Sequence, residues 1–145
     1  MAVRVRLRLR SRASQRVVEV TALVKSGFEA ESPQLLIPTG LAKQLSLYPP
    51  PPTSSIVEVG TPGGPARVFL VRDALEAWVV TGDREVGPRY VDVMISPVEE
   101  EVLISDKLAE EFGLVLLAIG SGKWRFADDP LDKVRYSEKP FLSRW

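Results

Sequence analysis

The sequence predicts a mostly β fold, a small closed barrel with one or two short helices and an internal pseudo-twofold repeat. Three observations support this prediction. Apolar and polar residues alternate with a period of two in several segments, turn residues separate those segments, and one strand–loop–strand–helix pattern occurs twice. A chain of 145 residues corresponds to about one domain, which is long enough for a single sizeable core.

The first predicted strand covers residues 3–10, where four aliphatic residues alternate with four arginines. This alternation places the aliphatic side chains on one face and Arg4, Arg6, Arg8 and Arg10 on the other. We expect the arginines to lie in solvent opposite acidic residues of a neighbouring strand. Contact with nucleic-acid phosphates is the alternative, but the net charge of zero provides no basic excess.

A second strand is predicted at 16–24 and completes a hairpin with the first. Another hairpin joins residues 56–59 to 66–71. Its glycine-rich tip contains Gly60, Gly63 and Gly64. Glycine adopts positive φ angles at little cost, so this tip can turn tightly. The four prolines at 49–52 precede this hairpin and are predicted to form a stiff spacer.

The next predicted elements are shorter. A third hairpin joins residues 74–81 to 89–95, and a buried strand follows at 102–104. A helix is predicted at 107–112, since a residue with a side-chain oxygen precedes it and can cap its first turn. The two residues that can act as this cap are Ser105 and Asp106.

The internal repeat consists of residues 35–47 and 102–114, which align without gaps and share five identities in thirteen positions. Upstream of it, residues 16–20 resemble 89–93, which makes the connecting loop of the first copy six residues longer. Neither copy can close a core alone. Two lobes related by a local twofold, closed together as a barrel, are therefore predicted.

The barrel domain is assigned to residues 1–126, and residues 127–145 are assigned to a C-terminal tail packed on the surface. The tail is rich in charged and turn residues. For Asp128 and Asp129 a solvated loop is favoured over a metal site. The predicted anchors of the tail are Tyr136, Phe141 and Trp145.

The composition limits the chemistry, because the chain contains no cysteine and no histidine. Disulfides, thiolate nucleophiles, Ser-His-Asp triads and metal sites built on histidine or cysteine are excluded, and no cofactor or metal is expected. Asparagine is absent and twelve residues are proline, which is typical of thermophilic proteins. No apolar run could span a membrane and the N-terminus lacks a signal peptide pattern, so a cytoplasmic location is expected.

Residues 20–27 read VTALVKSG, an apolar strand that ends in the triplet Lys-Ser-Gly at 25–27. A second strand at 35–38 and an amphipathic stretch at 39–45 follow it. This order resembles the active-site half of the retropepsin-like (clan AA) aspartic peptidases, in their archaeal-type single-domain form. The resemblance covers roughly residues 3–118.

The resemblance implies an acid-protease-like barrel and a homodimer in which each subunit contributes one aspartate to a shared dyad. Lys25 occupies the aspartate position, whereas Ser26 matches the family's hydroxyl residue and Gly27 its turn glycine. The hairpin at 56–71 matches the family's flap. Ser105 stands where the second unit of the family has a glycine. The chain therefore keeps the family's order of elements and departs from its pattern at two positions.

Lys25 cannot replace the aspartate in kind, because an ammonium group is cationic and a poor base. We expect a structural lysine that Glu29 or Glu31 in the same loop neutralises. A Ser-Lys hydrolase is disfavoured, since Lys25 and Ser26 are adjacent and point to opposite faces of a strand. The remaining alternatives are a lysine pair that binds an anion or a substrate carboxylate, and the substitution of a native aspartate.

The function expected from these observations is that of a catalytically inactive aspartic-peptidase-like protein, a pseudoenzyme that binds an extended peptide or protein segment under the flap. The alternative is an active homodimeric aspartic endopeptidase whose catalytic aspartate is replaced by Lys25 in this sequence. A third hypothesis is a nucleic-acid-binding β protein that uses the N-terminal arginine face.

Overall fold

The computed structural model describes residues 2–61 and 63–140, which form ten strands and two short helices. The strands are β1 (Arg4–Ser11), β2 (Val17–Val24), β3 (Gln34–Pro38), β4 (Ser55–Thr61), β5 (Gly64–Val80), β6 (Glu85–Ser96), β7 (Val102–Ile104), β8 (Leu114–Ala118), β9 (Lys123–Phe126) and β10 (Arg135–Tyr136). The helices are α1 (Thr39–Gln44) and α2 (Asp106–Glu111). Neither described helix has the length and apolar character that crossing a membrane requires.

Six strands close a barrel in the order β1-β2-β7-β3-β6-β5, and β1 completes it by pairing with β5. The strand β4 lies outside the barrel and forms a hairpin with the first part of β5. A separate three-stranded sheet has the order β8-β9-β10. The predicted fold class, a mostly β closed barrel with two short helices, is confirmed.

The two copies of the repeat occupy equivalent places in the barrel. The strands β2 and β7 run parallel, as do β3 and β6, while β3 and β7 are antiparallel neighbours. Leu36 pairs with Leu103, its counterpart in the repeat. A local twofold axis therefore passes between these two residues, as the repeat predicts.

The upstream part of the repeat is shifted from its predicted alignment. Ala22 pairs with Val102 in one copy. Val93 pairs with Leu35 in the other, so Ala22 and Val93 are equivalent. The predicted upstream alignment is wrong by two residues, and the loop of the first copy is four rather than six residues longer. A shift of two keeps every side chain on its face, so the apolar pattern could not exclude it.

One core runs through the barrel and the smaller sheet. The alternating aliphatic residues of the first strand are each at most 1% exposed: Val3, Val5, Leu7 and Leu9. Burial of one such side chain contributes roughly 1.5–3 kcal/mol. Leu41 of α1 and Leu108 of α2 are fully buried, and Trp124 and Phe126 of β9 belong to the same cluster. The smaller sheet is therefore part of the packed domain.

The segments 66–71 and 74–81, predicted as separate strands, form the single strand β5. A register shift against β6 between Val71 and Leu75 marks the predicted interruption. Asp73 lies at this shift with a φ of 55°, a left-handed conformation that aspartate tolerates better than most residues. The chain bends there without leaving the sheet, so one strand serves both the flap hairpin and the barrel.

The C-terminal segment is tied to the barrel by its backbone. The Glu138 N–H donates to the Arg4 carbonyl over 2.9 Å, and β10 pairs with β9. Arg135 is buried, whereas Tyr136 is 70% exposed. The prediction that Tyr136 anchors this segment is wrong, because the other face of β10 points inward. The remaining two predicted anchors, Phe141 and Trp145, lie outside the described residues.

Candidate functional site

The Lys25 loop, defined as residues 25–33, leaves the end of β2 and is held at its start by backbone bonds. The Lys25 N–H donates to the Ile104 carbonyl over 3.3 Å, and the Phe28 N–H donates to the Lys25 carbonyl over 3.1 Å. Gly27 has a φ of 88°, a conformation that favours glycine. This is consistent with the turn role that the resemblance assigns to Gly27.

The start of α2 fixes the other side of the loop. An Asp106 carboxylate oxygen accepts a hydrogen bond from the Gly27 N–H over 3.2 Å, and the Asp106 N–H donates to the Phe28 carbonyl over 2.9 Å. The Lys107 ammonium donates to the Glu31 carbonyl over 2.8 Å. Hydrogen bonds at both its start and its middle therefore hold the Lys25 loop against α2.

Ser105 joins the two repeat copies beneath the loop. Its fully buried hydroxyl oxygen accepts from the Leu108 N–H and from the Gln34 N–H, each over 3.1 Å. The first bond caps α2, so Ser105 rather than Asp106 is the N-cap. The Ser105 hydroxyl thus has a structural role that a glycine could not fill.

The side chain of Lys25 is exposed and forms no ion pair or hydrogen bond within the part of the chain that the structure describes. Glu29 and Glu31 are also exposed, and neither pairs with Lys25. The expected neutralisation of Lys25 by these two glutamates does not form, because all three side chains point into solvent. The positive charge of Lys25, at the first residue of the loop, is therefore not compensated by a described carboxylate.

Asp92 of β6 is a second carboxylate, besides Asp106, that contacts this loop. One oxygen accepts from the Ser32 hydroxyl over 2.6 Å, and the other accepts from the Asp73 N–H over 2.7 Å. Arg72 lies 3.6 Å from it. Asp92 therefore fixes the end of the Lys25 loop to the bend in β5. These contacts join residues far apart in sequence, so no local pattern indicated them.

The flap hairpin formed by β4 and β5 is regular from the Ser55–Leu70 pair to the Thr61–Gly64 pair. Of the predicted tip glycines, Gly64 has a φ of 109°, and Gly60 lies within β4 opposite Pro65. In the sheet, β4 pairs only with β5, so its other edge carries no described strand.

One face of the hairpin rests on an apolar cluster that is separate from the main core. We call it the flap cluster, and its members are Phe28, Leu36, Val57, Val59, Val68, Leu70 and Met94. Val68, Leu70 and Met94 are buried, whereas the other four are partly exposed. The cluster combines the Lys25 loop, β3, β6 and both hairpin strands. Five separate elements contribute to it, so no local sequence pattern indicates it.

The N-terminal arginine row is compensated by carboxylates. Arg8 lies 2.8 Å from Glu85, and Arg10 lies 2.6 Å from Glu76. Arg4 reaches Glu101 over 2.7 Å. The expectation that acidic residues of a neighbouring strand face this row is confirmed for Glu76, which lies in β5 beside β1. Glu85 lies in β6 and Glu101 precedes β7. These pairs leave less positive charge on the face for nucleic-acid phosphates.

A second charged network joins the β5–β6 turn to the C-terminal sheet. The Arg135 guanidinium donates to Asp83 over 2.7 and 3.0 Å and to Asp129 over 2.8 and 3.1 Å. It also lies 5.0 Å from the centre of the Phe126 ring. The hydrogen bonds from Arg135 lower the pKa of both aspartates strongly.

The predicted solvated loop at Asp128 and Asp129 is wrong for Asp129. The side chain of Asp129 is only 5% exposed, whereas that of Asp128 is 73% exposed. Arg84 binds both carboxylates, over 3.0 and 3.1 Å. Across residues 2–61 and 63–140, no group of three or more acidic side chains is arranged to hold a metal ion.

Comparison with known proteins adds no relative to this description. No protein-family model matches the chain, and no curated protein matches it significantly.

Proposed function

We propose that the chain is a catalytically inactive relative of the retropepsin-like aspartic peptidases that holds an extended peptide against its flap hairpin. The order of elements supports the relationship: a duplicated strand–loop–strand–helix unit, a loop with a turn glycine, and a hairpin over that loop. The observation that carries the proposal is the exposed Lys25 at the position of the family's aspartate, next to the partly exposed flap cluster.

The loss of activity follows from the chemistry of the loop. Aspartic peptidases activate water with two carboxylates that share a proton. Lys25 supplies an ammonium group instead. The closest carboxylates that the loop contacts are engaged, since Asp106 accepts from Gly27 and Asp92 accepts from Ser32. Glu29 and Glu31 of the loop are exposed, and we infer that the loop lacks the proton-sharing carboxylate pair that activates water in this family.

Two features support the binding of an extended peptide. The free edge of β4 offers backbone groups for strand addition. The partly exposed valines of the same strand, Val57 and Val59, offer apolar contacts at alternate positions. Backbone bonding would supply affinity, and the spacing of the valines would favour peptides with an apolar residue at every second position.

We also propose a homodimer in the cytoplasm of a thermophile. The resemblance to retropepsins places both copies of Lys25 near the shared axis, where two uncompensated ammonium groups repel each other. The proposed dimer should therefore strengthen when Lys25 is replaced by glutamine. Light scattering of both proteins at low and high salt measures this effect, and a tighter dimer for the unaltered chain at low salt would contradict it.

The test of the proposal combines hydrolysis and binding. Peptides with alternating apolar residues are incubated with the chain at acidic pH and analysed by mass spectrometry, and we expect no cleavage. In a binding assay, the double variant Val57→Thr and Val59→Thr should weaken affinity about tenfold, because threonine keeps the strand shape but removes apolar contact. Val17→Thr, which changes a 54% exposed valine of β2, is the matched control.

Each assay can contradict the proposal. Cleavage by the unaltered chain would disprove the inactive state. Equal peptide affinity in the flap double variant and the Val17 control would remove the flap hairpin as the binding element.

The second candidate is an active aspartic endopeptidase in which Lys25 substitutes a native aspartate. The ordered loop favours it, since Gly27 keeps its turn conformation and its bond to α2. Replacing Lys25→Asp should then produce peptide hydrolysis at acidic pH. Continued inactivity of a folded Lys25→Asp variant would reject this candidate.

A further inference from the structure

We propose that the chain has a second binding site, a pocket that takes a small phosphate-type oxyanion. The pocket has a volume of about 280 Å³ and lies between β1, the β5–β6 turn and the C-terminal segment from Lys133 to Glu138. We call it the basic pocket. None of its described lining residues belongs to the Lys25 loop or to the flap hairpin, so the site is independent of the function proposed above.

The lining of the basic pocket is dominated by cations. Four basic side chains, those of Arg4, Arg6, Lys133 and Arg135, face one carboxylate, that of Glu138. Two of the four are already engaged by carboxylates outside the lining. Arg4 is bound by both oxygens of Glu101, and Arg135 is held between two aspartates.

The other two cations retain binding capacity. The Arg6 guanidinium lies 3.8 Å from Glu19 and 3.8 Å from Glu138, which is too long for a hydrogen bond. Its side chain is 49% exposed, and loose pairs of this kind contribute little. Lys133 has no side-chain partner among the described residues. An incoming oxyanion could therefore bind Arg6 and Lys133, and only the loose ion pairs of Arg6 would be weakened.

A tryptophan with an unpartnered indole nitrogen lies in the wall of the same pocket. Trp124 lines the pocket and is only 3% exposed. Its indole nitrogen is, within the described residues, the one buried side-chain nitrogen or oxygen that has no hydrogen-bond partner. An indole N–H can only donate, and such orphaned donors in folded proteins call for an explanation.

The chemical class of the ligand follows from these donors. A guanidinium fork matches the geometry of two phosphate oxygens, and an ammonium group binds phosphate as a point charge. A tetrahedral oxyanion offers several oxygens to these two cations, whereas a halide offers a single acceptor. Free phosphate and the phosphoryl group of a larger molecule share this chemistry. The exposed ring of Tyr136 at the pocket would favour a phosphoryl group attached to an aromatic ring.

The experiment uses the full chain labelled with ¹⁵N and follows the assigned indole signal of Trp124. Inorganic phosphate and phenyl phosphate are titrated separately at constant ionic strength, with chloride as the balancing ion. We expect a saturable shift of the indole signal. The variants Arg6→Gln and Lys133→Gln should each raise the dissociation constant about tenfold. Arg67→Gln, at an exposed arginine of the flap hairpin, is the matched control and should leave it unchanged.

The outcomes separate the alternatives. Tighter binding of phenyl phosphate supports an organic phosphate as the ligand, and equal binding supports free phosphate. A shift that does not saturate, or that chloride alone reproduces, would overturn the proposal. Unchanged affinity in Arg6→Gln and Lys133→Gln, with amide spectra showing that both are folded, would also overturn it.

Discussion

Leu36 lies directly opposite Leu103 in the antiparallel pair of β3 and β7, so each half of the repeat places its equivalent leucine against the other. The parallel pairs β2–β7 and β3–β6 then connect each half to the first strand of the other half. Neither half contains a complete set of strand partners. The barrel is therefore one interlocked unit rather than two lobes in contact.

This interlocking predicts that both halves unfold together. Leu41 of α1 and Leu108 of α2 are equivalent in the repeat, and both are fully buried in the same core. Leu41→Ala and Leu108→Ala should each lower the free energy of unfolding by about 2–5 kcal/mol. Urea unfolding followed by circular dichroism and by tryptophan fluorescence should give one coincident transition in both variants. Two separated transitions would show that the halves fold independently.

The buried serine that joins the halves gives a second prediction. Replacing Ser105→Ala removes the acceptor for the Leu108 and Gln34 N–H groups, which are both buried. We expect a loss of about 2 kcal/mol, the combined effect of a missing cap and an unsatisfied donor. Ser26→Ala, at an exposed serine, is the control. Equal urea midpoints for the two variants would show that the Ser105 hydroxyl has no role in folding.

The extent to which the sequence predicted these features depends on the range of the interactions. The alternation in β1 and the helix in the second repeat copy are local, and both were predicted with boundaries within one residue of those observed. The register of strand pairing is harder to predict from sequence, because an apolar pattern of period two is unchanged by a shift of two residues. That ambiguity accounts for the predicted equivalence of Val20 and Val93, where the structure makes Ala22 the equivalent of Val93.

The candidate site was predictable only in part. The position of Lys25 at the end of a strand and the turn at Gly27 follow from local pattern. The partners of the loop do not, since Asp106 lies 79 residues from Gly27 and Asp92 lies 60 residues from Ser32. The pairing of Arg135 with Asp83 spans 52 residues and was missed for the same reason. Charged residues in a polar segment give no signal of which partner they will meet.

The glycine at position 87 provides a third prediction, on backbone geometry. Gly87 has a φ of 147°, and a Cβ atom there would lie 2.6 Å from the Ala77 carbonyl oxygen and 2.9 Å from Trp78 Cδ1. Gly87→Ala should therefore destabilise the chain by about 2–4 kcal/mol through strain and steric overlap. Gly82→Ala is the control, because a Cβ atom at that position meets nothing within 4 Å. Thermal unfolding of both variants should show a clear drop for Gly87→Ala alone.

The Arg135 network provides a fourth prediction. Arg135→Met keeps much of the aliphatic packing against Phe126 but leaves the buried carboxylate of Asp129 without its main partner. Removing one member of a buried ion pair is strongly destabilising, and we expect a loss of about 3 kcal/mol at neutral pH. Arg67→Met at an exposed position is the control, measured by urea unfolding. A midpoint for Arg135→Met equal to that of the control would show that the network does not hold the C-terminal sheet.

The same network should make the free energy of unfolding decrease as the pH falls into the acidic range. The hydrogen bond from Arg135 lowers the pKa of Asp129 in the folded chain below its ordinary value of 3.8. The unfolded chain therefore binds a proton more readily than the folded chain as the pH falls below about 4. The stabilisation by Asp129 is fully present above that pH and is lost as the pH falls toward the folded pKa.

Asp129→Asn tests this linkage, because the amide does not titrate. The free energy of unfolding of the unaltered chain should fall on acidification below about pH 4, and the Asp129→Asn variant should show a flatter dependence. Asp132→Asn, at an exposed carboxylate of the same segment, should leave the slope nearly unchanged. The measurement is the urea midpoint across neutral to acidic pH. A slope in Asp129→Asn as steep as that of the unaltered chain would mean that other carboxylates set the acid sensitivity, because the Arg135–Asp129 pair would then have no measurable linkage to folding.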